Sequence, residues 1–356
     1  MKKLIWLLVI VAALAGYLLL WPVAIEPVAW NPQPMPPESA YPYNEKLKPI
    51  ERLADGVGRG PEGVLIDREG RLYTGYDDGR VMMFNREGNA GLLLANTGGR
   101  PLGIGFGPKG ELLVADAVKG LLQIRGDGSQ QVLAVEAEGV PFKFVDDVDA
   151  FPGEPYAYFS DASTRFGIHN VMDDVLEHGD TGRILRYHME TGETTVLMRG
   201  LHFANGVAVG PNAEYLLVNE TAEYRVWRHW LKGEKAGTSE VLIDNLPGFP
   251  DNVSFNGRDR IWVALYAPRT PDLDRLAASP TLRKIVARLP AFVQPAPTLH
   301  SWVLGLDLDG KVVANLQYKG EGRYAPVTSA EEHGEYLYFG SLSDTALGRI
   351  RLSEIQ

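Results

Sequence analysis

Four oxygen-bearing side chains occupy equivalent places in a short repeated pattern. Glu62, Asp146, Asn205 and Asp251 each stand two residues before a valine, and a turn and a second apolar segment follow. Carboxylate and amide oxygens are the ligands that calcium prefers, and calcium accepts about six to eight of them in flexible geometry. A hard cation would offset the repulsion and desolvation cost of three gathered carboxylates. The chain has no cysteine and the pattern contains no histidine, which disfavours zinc and copper.

The elements that must position these residues form a sixfold repeat of strand, turn and strand. The column of equivalent positions reads Glu62, Leu102, Asp146, Asn205, Asp251 and Val327. Most copies are about 40 to 60 residues apart, near the length of a four-stranded propeller blade. We therefore predict an all-β fold, a six-bladed β-propeller over residues 50–356, whose innermost strands gather the column around a central channel. The alternatives are a β-sandwich or a two-domain all-β chain, with the acidic residues serving only as turn caps.

The N-terminal region predicts attachment to a membrane. Lys2 and Lys3 precede an uncharged run that extends from Leu4 to Ile25, long enough to cross a bilayer. Residues 1–25 are predicted to be an anchor, and the two lysines favour a propeller on the extracytoplasmic (periplasmic or lumenal) side. The alternative is a signal peptide cleaved near Ala13–Ala15. Residues 26–49 are rich in proline and are predicted to form an extended linker.

Two insertions and the overall composition complete this prediction. Residues 166–178 and 270–298 interrupt the repeat, and residues 273–289 have helical spacing between prolines. The formal net charge of −10 argues against a nucleic-acid partner, because nucleic-acid binding requires a basic face. The chain also has no Gly-x-Ser-x-Gly nucleophile motif, which disfavours a serine hydrolase.

Several longer motifs resemble those of the strictosidine synthase-like proteins. This family includes the adipocyte plasma membrane-associated proteins and is related to the paraoxonases and to the senescence marker protein/gluconolactonase propellers. The motifs are Gly99–Ile104, Val114–Leu121, Tyr158–Asp161, Asp180–Tyr187, Phe203–Val207, Trp230–Ser239, Asp244–Asn252 and Glu332–Gly340. The resemblance extends from about Leu53 to Leu352. It implies a six-bladed propeller with one catalytic calcium ion held by Glu62, Asp146, Asn205 and Asp251.

The sequence also departs from the patterns of these relatives. Asp146 stands where relatives usually have asparagine, which keeps an oxygen ligand and adds a charge. Plant strictosidine synthase, which condenses an amine with an aldehyde, has a glutamate where this chain has Thr328. Paraoxonases have a histidine where this chain has Leu102. His300, before the strand that begins near Trp302, could instead enter the channel, or it could be a surface histidine at a strand start.

The leading hypothesis is a calcium-dependent hydrolase of small-molecule esters, lactones or phosphotriesters, of the arylesterase or lactonase class. Asp251 would serve both as ligand and as nucleophile or general base, with His300 as a second catalytic candidate. The alternatives are a membrane-anchored binding propeller with structural calcium and, disfavoured by Thr328, a condensing enzyme of the strictosidine synthase type.

Overall fold

The computed structural model describes residues 1–355, and most of them belong to six four-stranded antiparallel sheets. Strands are numbered in chain order, and β1 (Glu51–Leu53) belongs to the last sheet. Blade 1 contains β2 (Leu65–Ile66), β3 (Leu72–Gly75), β4 (Arg80–Phe84) and β5 (Leu92–Asn96). Blade 2 contains β6 (Pro101–Phe106), β7 (Leu112–Asp116), β8 (Gly120–Ile124) and β9 (Gln130–Ala134). A two-stranded ribbon follows, formed by β10 (Glu136–Ala137) and β11 (Val140–Pro141).

Blades 3, 4 and 5 repeat this order of four consecutive strands, and blade 6 closes the ring. Blade 3 contains β12 (Val145–Ala150), β13 (Tyr156–Asp161), β14 (Gly182–His188) and β15 (Thr194–Leu201). Blade 4 contains β16 (Ala204–Val209), β17 (Tyr215–Glu220), β18 (Arg225–Trp230) and β19 (Ser239–Ile243). Blade 5 contains β20 (Gly248–Phe255), β21 (Ile261–Pro268), β22 (Ser301–Leu306) and β23 (Val312–Tyr318). Blade 6 contains β24 (Ser329–His333), β25 (Tyr336–Gly340), β26 (Leu347–Arg351) and β1, which confirms the predicted six-bladed propeller.

The two ends of the propeller sequence close the ring in blade 6. Strand β1 pairs antiparallel with β26, with Arg52 opposite Gly348. The Arg349 guanidinium donates to Glu51 Oε2 at 2.8 and 3.0 Å across the same pair. Because the N-terminal strand supplies the outer edge of the last blade, the ring closes without leaving that blade short of a strand.

Apolar layers hold neighbouring blades together. Leu217 and Val226 of blade 4, for example, share a buried cluster with Val263 and Leu304 of blade 5. Equivalent clusters join each of the other neighbouring blade pairs. Near the axis the backbones come close: a Cβ on Gly63 would lie 2.6 Å from the Leu102 carbonyl oxygen. Glycine is therefore needed there for the first two inner strands to pack.

The insertions form helices on the face of the propeller where the inner strands begin. Helix α1 (Lys2–Leu20) precedes the ring, α2 (Val171–Glu177) joins β13 to β14, and α3 (Pro271–Ala277) and α4 (Pro280–Arg288) join β21 to β22. Short 3-10 helices span Glu38–Ala40, Ile168–Asn170, Pro211–Ala213, Thr221–Glu223, Ala291–Val293 and Leu352–Glu354. In a four-stranded antiparallel blade, the connections from the second to the third strand lie on the face where the first strand starts. The helical spacing of residues 273–289 is thus confirmed by α3 and α4.

Helix α1 is one apolar helix that is long enough to cross a membrane. It runs from Lys2 to Leu20, and none of its residues is buried against the propeller. The chain between α1 and β1, which includes the proline-rich residues 26–49, does not extend freely into solvent, because Ile25 and Leu47 are buried. The N-terminal region is therefore consistent with a membrane anchor, α1, followed by a linker that packs on the folded domain.

Candidate metal centre in the channel

The repeat brings the four predicted ligands to the start of four inner strands. Glu62 lies just before β2, Asp146 and Asn205 are the second residues of β12 and β16, and Asp251 is the fourth residue of β20. All four side chains are buried. Register shifts in β12, β16 and β20 lie next to these residues, so each strand start departs from regular pairing where its ligand faces inward.

The pKa values of the three carboxyl groups in the column are raised by burial and by the charges of neighbouring carboxyl groups. Burial raises the pKa of Glu62 to about 7, against a smaller opposing effect of the Arg100 guanidinium. Burial, and then the charge of Glu62, raise the pKa of Asp146 and of Asp251 well above the usual value. Burial and mutual repulsion both disfavour the charged forms, so a counter-charge at this point would lower all three pKa values.

Two oxygen atoms of the column are buried without a hydrogen-bond partner, Glu62 Oε2 and Asn205 Oδ1. The other oxygen of Glu62 accepts a hydrogen bond from Asn252 Nδ2 at 2.6 Å. The Asn205 side chain lies beside the Asp251 carboxyl and lowers the pKa of that group. Buried polar atoms normally have partners, and two unpaired oxygens beside buried carboxylates fit a hard, oxygen-preferring cation such as calcium.

A set of buried hydrogen bonds fixes the backbone around the column. Asn219 Nδ2 donates to the Asp251 carbonyl oxygen at 2.7 Å. The Thr328 and Ser329 hydroxyls both donate to the Glu62 carbonyl oxygen at 2.9 Å. Thr328, at the position where plant strictosidine synthase has its glutamate, therefore ties blade 6 to blade 1 and presents no carboxyl group. Such outer contacts orient ligands, and their loss typically weakens metal sites.

Further acidic groups line the channel below the column, and the sequence interpretation missed them. Asp147 Oδ2 accepts from the Val207 amide at 2.9 Å, and Asp149 Oδ2 accepts from the Val209 amide at 2.7 Å. Burial raises the pKa of Asp149 to about 6 and that of Glu331 to about 8. The alternation of Asp147 and Asp149 along β12 is a signal that could have predicted two carboxylates on one face of an inner strand.

A buried apolar cluster lies on the face where the inner strands begin. Leu102, Phe144, Phe203, Ala222 and a partly buried Leu342 pack together, although they come from four different blades or their loops. The Phe144 and Phe203 rings meet edge to face, with centroids 5.4 Å apart. Leu102 thus belongs to an apolar wall at the place where paraoxonases have a histidine. A wall of this kind beside polar groups is typical of small-molecule sites.

The structure does not bring His300 to the column. The ring stacks on Trp302 with centroids 4.9 Å apart, lies 6.3 Å from the Tyr43 ring, and is close to the Gln317 side chain. These residues belong to the outer half of blade 5 and to the N-terminal segment. Burial lowers the pKa of His300 to about 4, so the ring is neutral at physiological pH. The sequence placed His300 before β22, the third strand of blade 5, and third strands lie away from a propeller axis.

A second cluster, also missed from sequence, lies on the same face as the column. Ligand atoms of His178, His202 and Glu223 lie within 4.8 Å of one another. The three carboxylates of the column are not gathered into such a tight set among the residues described. The His178 and His202 rings are stacked, with centroids 4.3 Å apart and planes at 24°. In-plane lone pairs on stacked rings do not converge on one point, so we assign this cluster a structural role.

The fold and the column together define a six-bladed propeller with buried acidic residues near its axis and an apolar cluster on the same face. A family model described as strictosidine synthase matches residues 146–234, and one described as the strictosidine synthase-like N-terminal region matches residues 39–84. Strictosidine synthase-like protein 6 of Arabidopsis thaliana is 37% identical over 317 residues, covering 87% of this chain and 84% of the relative. The adipocyte plasma membrane-associated protein of Salmo salar is 33% identical over 340 residues, covering 88% and 81%. The chain belongs to the strictosidine synthase-like family.

Solved structures agree with this fold. A gluconolactonase from Xanthomonas campestris superposes with a TM-score of 0.60 at 12% identity, covering 92% of this chain and 96% of that one. Regucalcin of Agrobacterium tumefaciens, described as a calcium-binding protein, has a TM-score of 0.57 at 16% identity, covering 82% and 92%. At such identities the likeness establishes the shared propeller architecture.

Proposed function

We propose that this protein is a calcium-dependent hydrolase of esters, lactones or phosphotriesters. The observation that carries the proposal is the set of three buried carboxyl groups with raised pKa values beside two unpaired oxygens, Glu62 Oε2 and Asn205 Oδ1. Perturbed carboxyl groups in a channel are frequent at catalytic sites. The gluconolactonase-like fold and the apolar cluster beside the column support a small organic substrate rather than a macromolecule.

Glu62, Asp146, Asn205 and Asp251 would hold the ion. When bound, calcium would neutralise the carboxylates and polarise the carbonyl or phosphoryl oxygen of the substrate. The remaining chemistry belongs to the protein. Asp251 would accept the proton of an attacking water, the bond to the leaving oxygen would break, and the leaving oxygen would take up the proton. An alternative with the same residues has Asp251 attack first as the nucleophile.

Three neighbouring groups would support this step. Asn205 lies beside the Asp251 carboxyl and would hold it in place for proton transfer. Asn252 fixes Glu62 at 2.6 Å and would keep its free oxygen directed at the ion. The Phe144 and Phe203 rings would receive the apolar part of the substrate and exclude water from the reacting bond.

The full-length protein in lipid nanodiscs tests the proposal. We would measure hydrolysis of p-nitrophenyl esters and of γ- and δ-lactones with calcium, with a chelator, and after Asp251→Ala. The matched control is Asp180→Ala, an exposed aspartate on the same face. We expect turnover that requires calcium, survives in the control and falls by about 100-fold or more in Asp251→Ala with unchanged circular dichroism.

A binding propeller with structural calcium is the second candidate, supported by the buried column itself, which a purely structural ion would equally satisfy. Calcium-dependent thermal stability without turnover of any ester, lactone or phosphotriester would establish this candidate and refute the hydrolase. Formation of an amine–aldehyde adduct by the same preparation would instead point to condensation.

A further inference from the structure

The end of helix α1 is fastened to helix α4 by three hydrogen bonds. Arg288 donates from Nε to the Trp21 carbonyl oxygen at 2.6 Å and from Nη1 to the Leu18 carbonyl oxygen at 2.9 Å. Tyr17 Oη donates in return to the Arg288 carbonyl oxygen at 2.9 Å. The last carbonyl groups of a helix lack partners within the helix, and a cation there also favours the helix dipole. Arg288 thus caps the membrane helix from the propeller side.

The linker after α1 continues across the same face without leaving it. Ile25 is buried against Phe166 and Leu176 of the insertion that contains α2. The Val28 amide donates to the Glu177 carbonyl oxygen at 2.9 Å. The Trp30 ring stacks on His178 with centroids 4.0 Å apart and planes at 8°. These contacts fix the end of α1 relative to the propeller, and they place it on the face where the inner strands begin.

Beside this junction lies a segment with unusual surface chemistry, residues 280–299. It contains Arg283, Lys284 and Arg288 and no acidic residue, a formal charge of +3 in a chain of net charge −10. Arg283 and Arg288 are buried, with their donors on backbone carbonyl oxygens. The exposed positions are largely apolar: Leu282 is 47% exposed, Phe292 89%, Val293 52% and Leu299 42%.

We propose that residues 280–299 form a second membrane contact, with Phe292 and Val293 inserted into the leaflet that holds the end of α1. The occupant of this apolar surface is the lipid bilayer, because the surface adjoins a helix that itself requires lipid. Exposed large apolar groups without exposed acidic ones are the composition of an interfacial segment. Arg288, the last residue of α4, binds the end of α1 and would lie at the depth of the lipid headgroups, and Phe292 lies in the short 3-10 helix that follows.

This contact sets the substrate class of the proposed hydrolase, and that part of the inference rests on the proposed function. The column lies at the inner-strand starts, on the same face as α4 and the linker, and this is the face that the second contact would hold against the membrane. Substrates would therefore enter from the bilayer, and the apolar wall of Leu102, Phe144 and Phe203 matches them. The substrates are predicted to be lipophilic esters or lactones dissolved in the membrane rather than free, water-soluble ones.

The absence of cysteine from the sequence makes a direct test possible. Phe292→Cys is labelled with an environment-sensitive fluorophore in the full-length protein, and the protein is placed in nanodiscs of ordinary or brominated phospholipid. The matched control is Val132→Cys, a 55% exposed valine on the outer strand of blade 2. We expect quenching by brominated lipid at position 292 and none at position 132.

Two results would overturn the membrane contact. A label at position 292 that is as water-exposed as the one at position 132 would exclude any covering. A label that is shielded but not quenched by brominated lipid would mean that a protein, such as a second copy of the chain, covers the surface. Both readouts are independent of catalysis, so they stand whether or not the protein is a hydrolase.

A second variant tests the substrate class. In Phe292→Asp with Val293→Asp we expect hydrolysis of a long-chain ester embedded in nanodiscs to fall by at least about tenfold, because carboxylates resist burial in lipid. Hydrolysis of a short, water-soluble ester should not change, since neither residue belongs to the column. Equal loss on both substrates would refute entry from the bilayer, whereas no calcium-dependent turnover in the parent protein would refute the hydrolase instead.

Discussion

Asn252 Nδ2 donates to Glu62 Oε1 at 2.6 Å, and this hydrogen bond joins blade 5 to the residue that opens blade 1. It occupies one oxygen of the only glutamate in the column and leaves Oε2 unpaired. The two residues are 190 positions apart in sequence. The bond therefore aligns a ligand across the ring, and it becomes possible only when the propeller has closed.

Asn252→Ala should weaken calcium binding while leaving the fold intact. Glu62 would lose its orienting donor, and loss of such a contact typically costs about 10- to 100-fold in metal affinity. Isothermal titration with calcium measures the change. The matched control is Asn256→Ala, an asparagine of the same strand end whose side chain contacts Asp259 and Glu332 away from the column. Equal affinities for both variants and the parent would show that Asn252 does not orient a ligand.

Glu62→Gln should remove the response to calcium and, in chelator, reduce the dependence of stability on pH. The other buried carboxyl groups with raised pKa values keep the rest of that dependence. The folded pKa of Glu62, about 7, lies above its ordinary value of 4.5. The folded state therefore holds an extra proton between these values, and the free energy of unfolding falls as pH rises through that range. The neutral glutamine has no such loss.

Thermal melts of the chelated protein between pH 5 and pH 8, in roughly half-unit steps, test this sign. The parent should lose stability with rising pH and regain it with calcium, whereas Glu62→Gln should lose less stability with rising pH and gain none from calcium. A variant that still gains stability from calcium as the parent does would remove Glu62 from the ligand set.

The charged Glu220 side chain should stabilise the folded protein at pH values above 4.5, its ordinary pKa, and this stabilisation should be lost in acid. Burial opposes its charge, but hydrogen bonds from His202, Arg225 and Trp227 outweigh burial and lower its pKa to about 2. The folded pKa lies below the ordinary value of 4.5, so the contribution, on the order of 3 kcal/mol, is complete above pH 4.5 and lost as pH falls toward 2.

Urea midpoints of Glu220→Gln and the parent, measured from pH 6 downward, give this contribution. The variant should be the less stable protein at pH 6, and the difference should shrink in acid. Glu234→Gln, at an exposed glutamate, should follow the parent throughout. A constant difference at every pH would assign the effect of Glu220 to packing rather than to its charge.

The features that could be predicted from the sequence are those that repeat, because superposing the copies shows which positions are equivalent. Six copies placed Glu62, Asp146, Asn205 and Asp251 in one column; all four lie buried at the starts of inner strands, and the charge of Glu62 raises the pKa of Asp146 and of Asp251. His300 had no repeat position to define its direction, and it lies instead beside Trp302 in the outer half of blade 5. Local sequence does not state which way a residue before a strand points when the flanking loop is long.

Contacts between distant segments were equally hidden from sequence. The stack of Trp30 on His178 joins residues of the linker and of an insertion, neither of which belongs to the repeat. The apolar run that predicts α1 does not reveal that Arg288 caps it from 267 residues away. Such contacts depend on how loops fold over the face of the ring, and hydrophobic periodicity carries no information about them.

Gly340→Ala should strongly destabilise the ring. Gly340 ends β25, and a Cβ there would lie 1.8 Å from the Glu62 carbonyl oxygen and 2.4 Å from Ser329 Oγ. The backbone oxygen cannot move away, because Thr328 and Ser329 both donate to it. The blade 6–blade 1 junction must open to admit the methyl group, and overpacking of this kind typically costs about 1 to 3 kcal/mol or more.

Urea denaturation of Gly340→Ala with and without calcium measures the loss of stability. Weaker calcium binding should accompany it, because Glu62 shifts. Gly126→Ala is the control, since a Cβ at Gly126 would meet no atom within 4 Å. If both substitutions cost the same, the approach of β25 to Glu62 does not hold the ring closed.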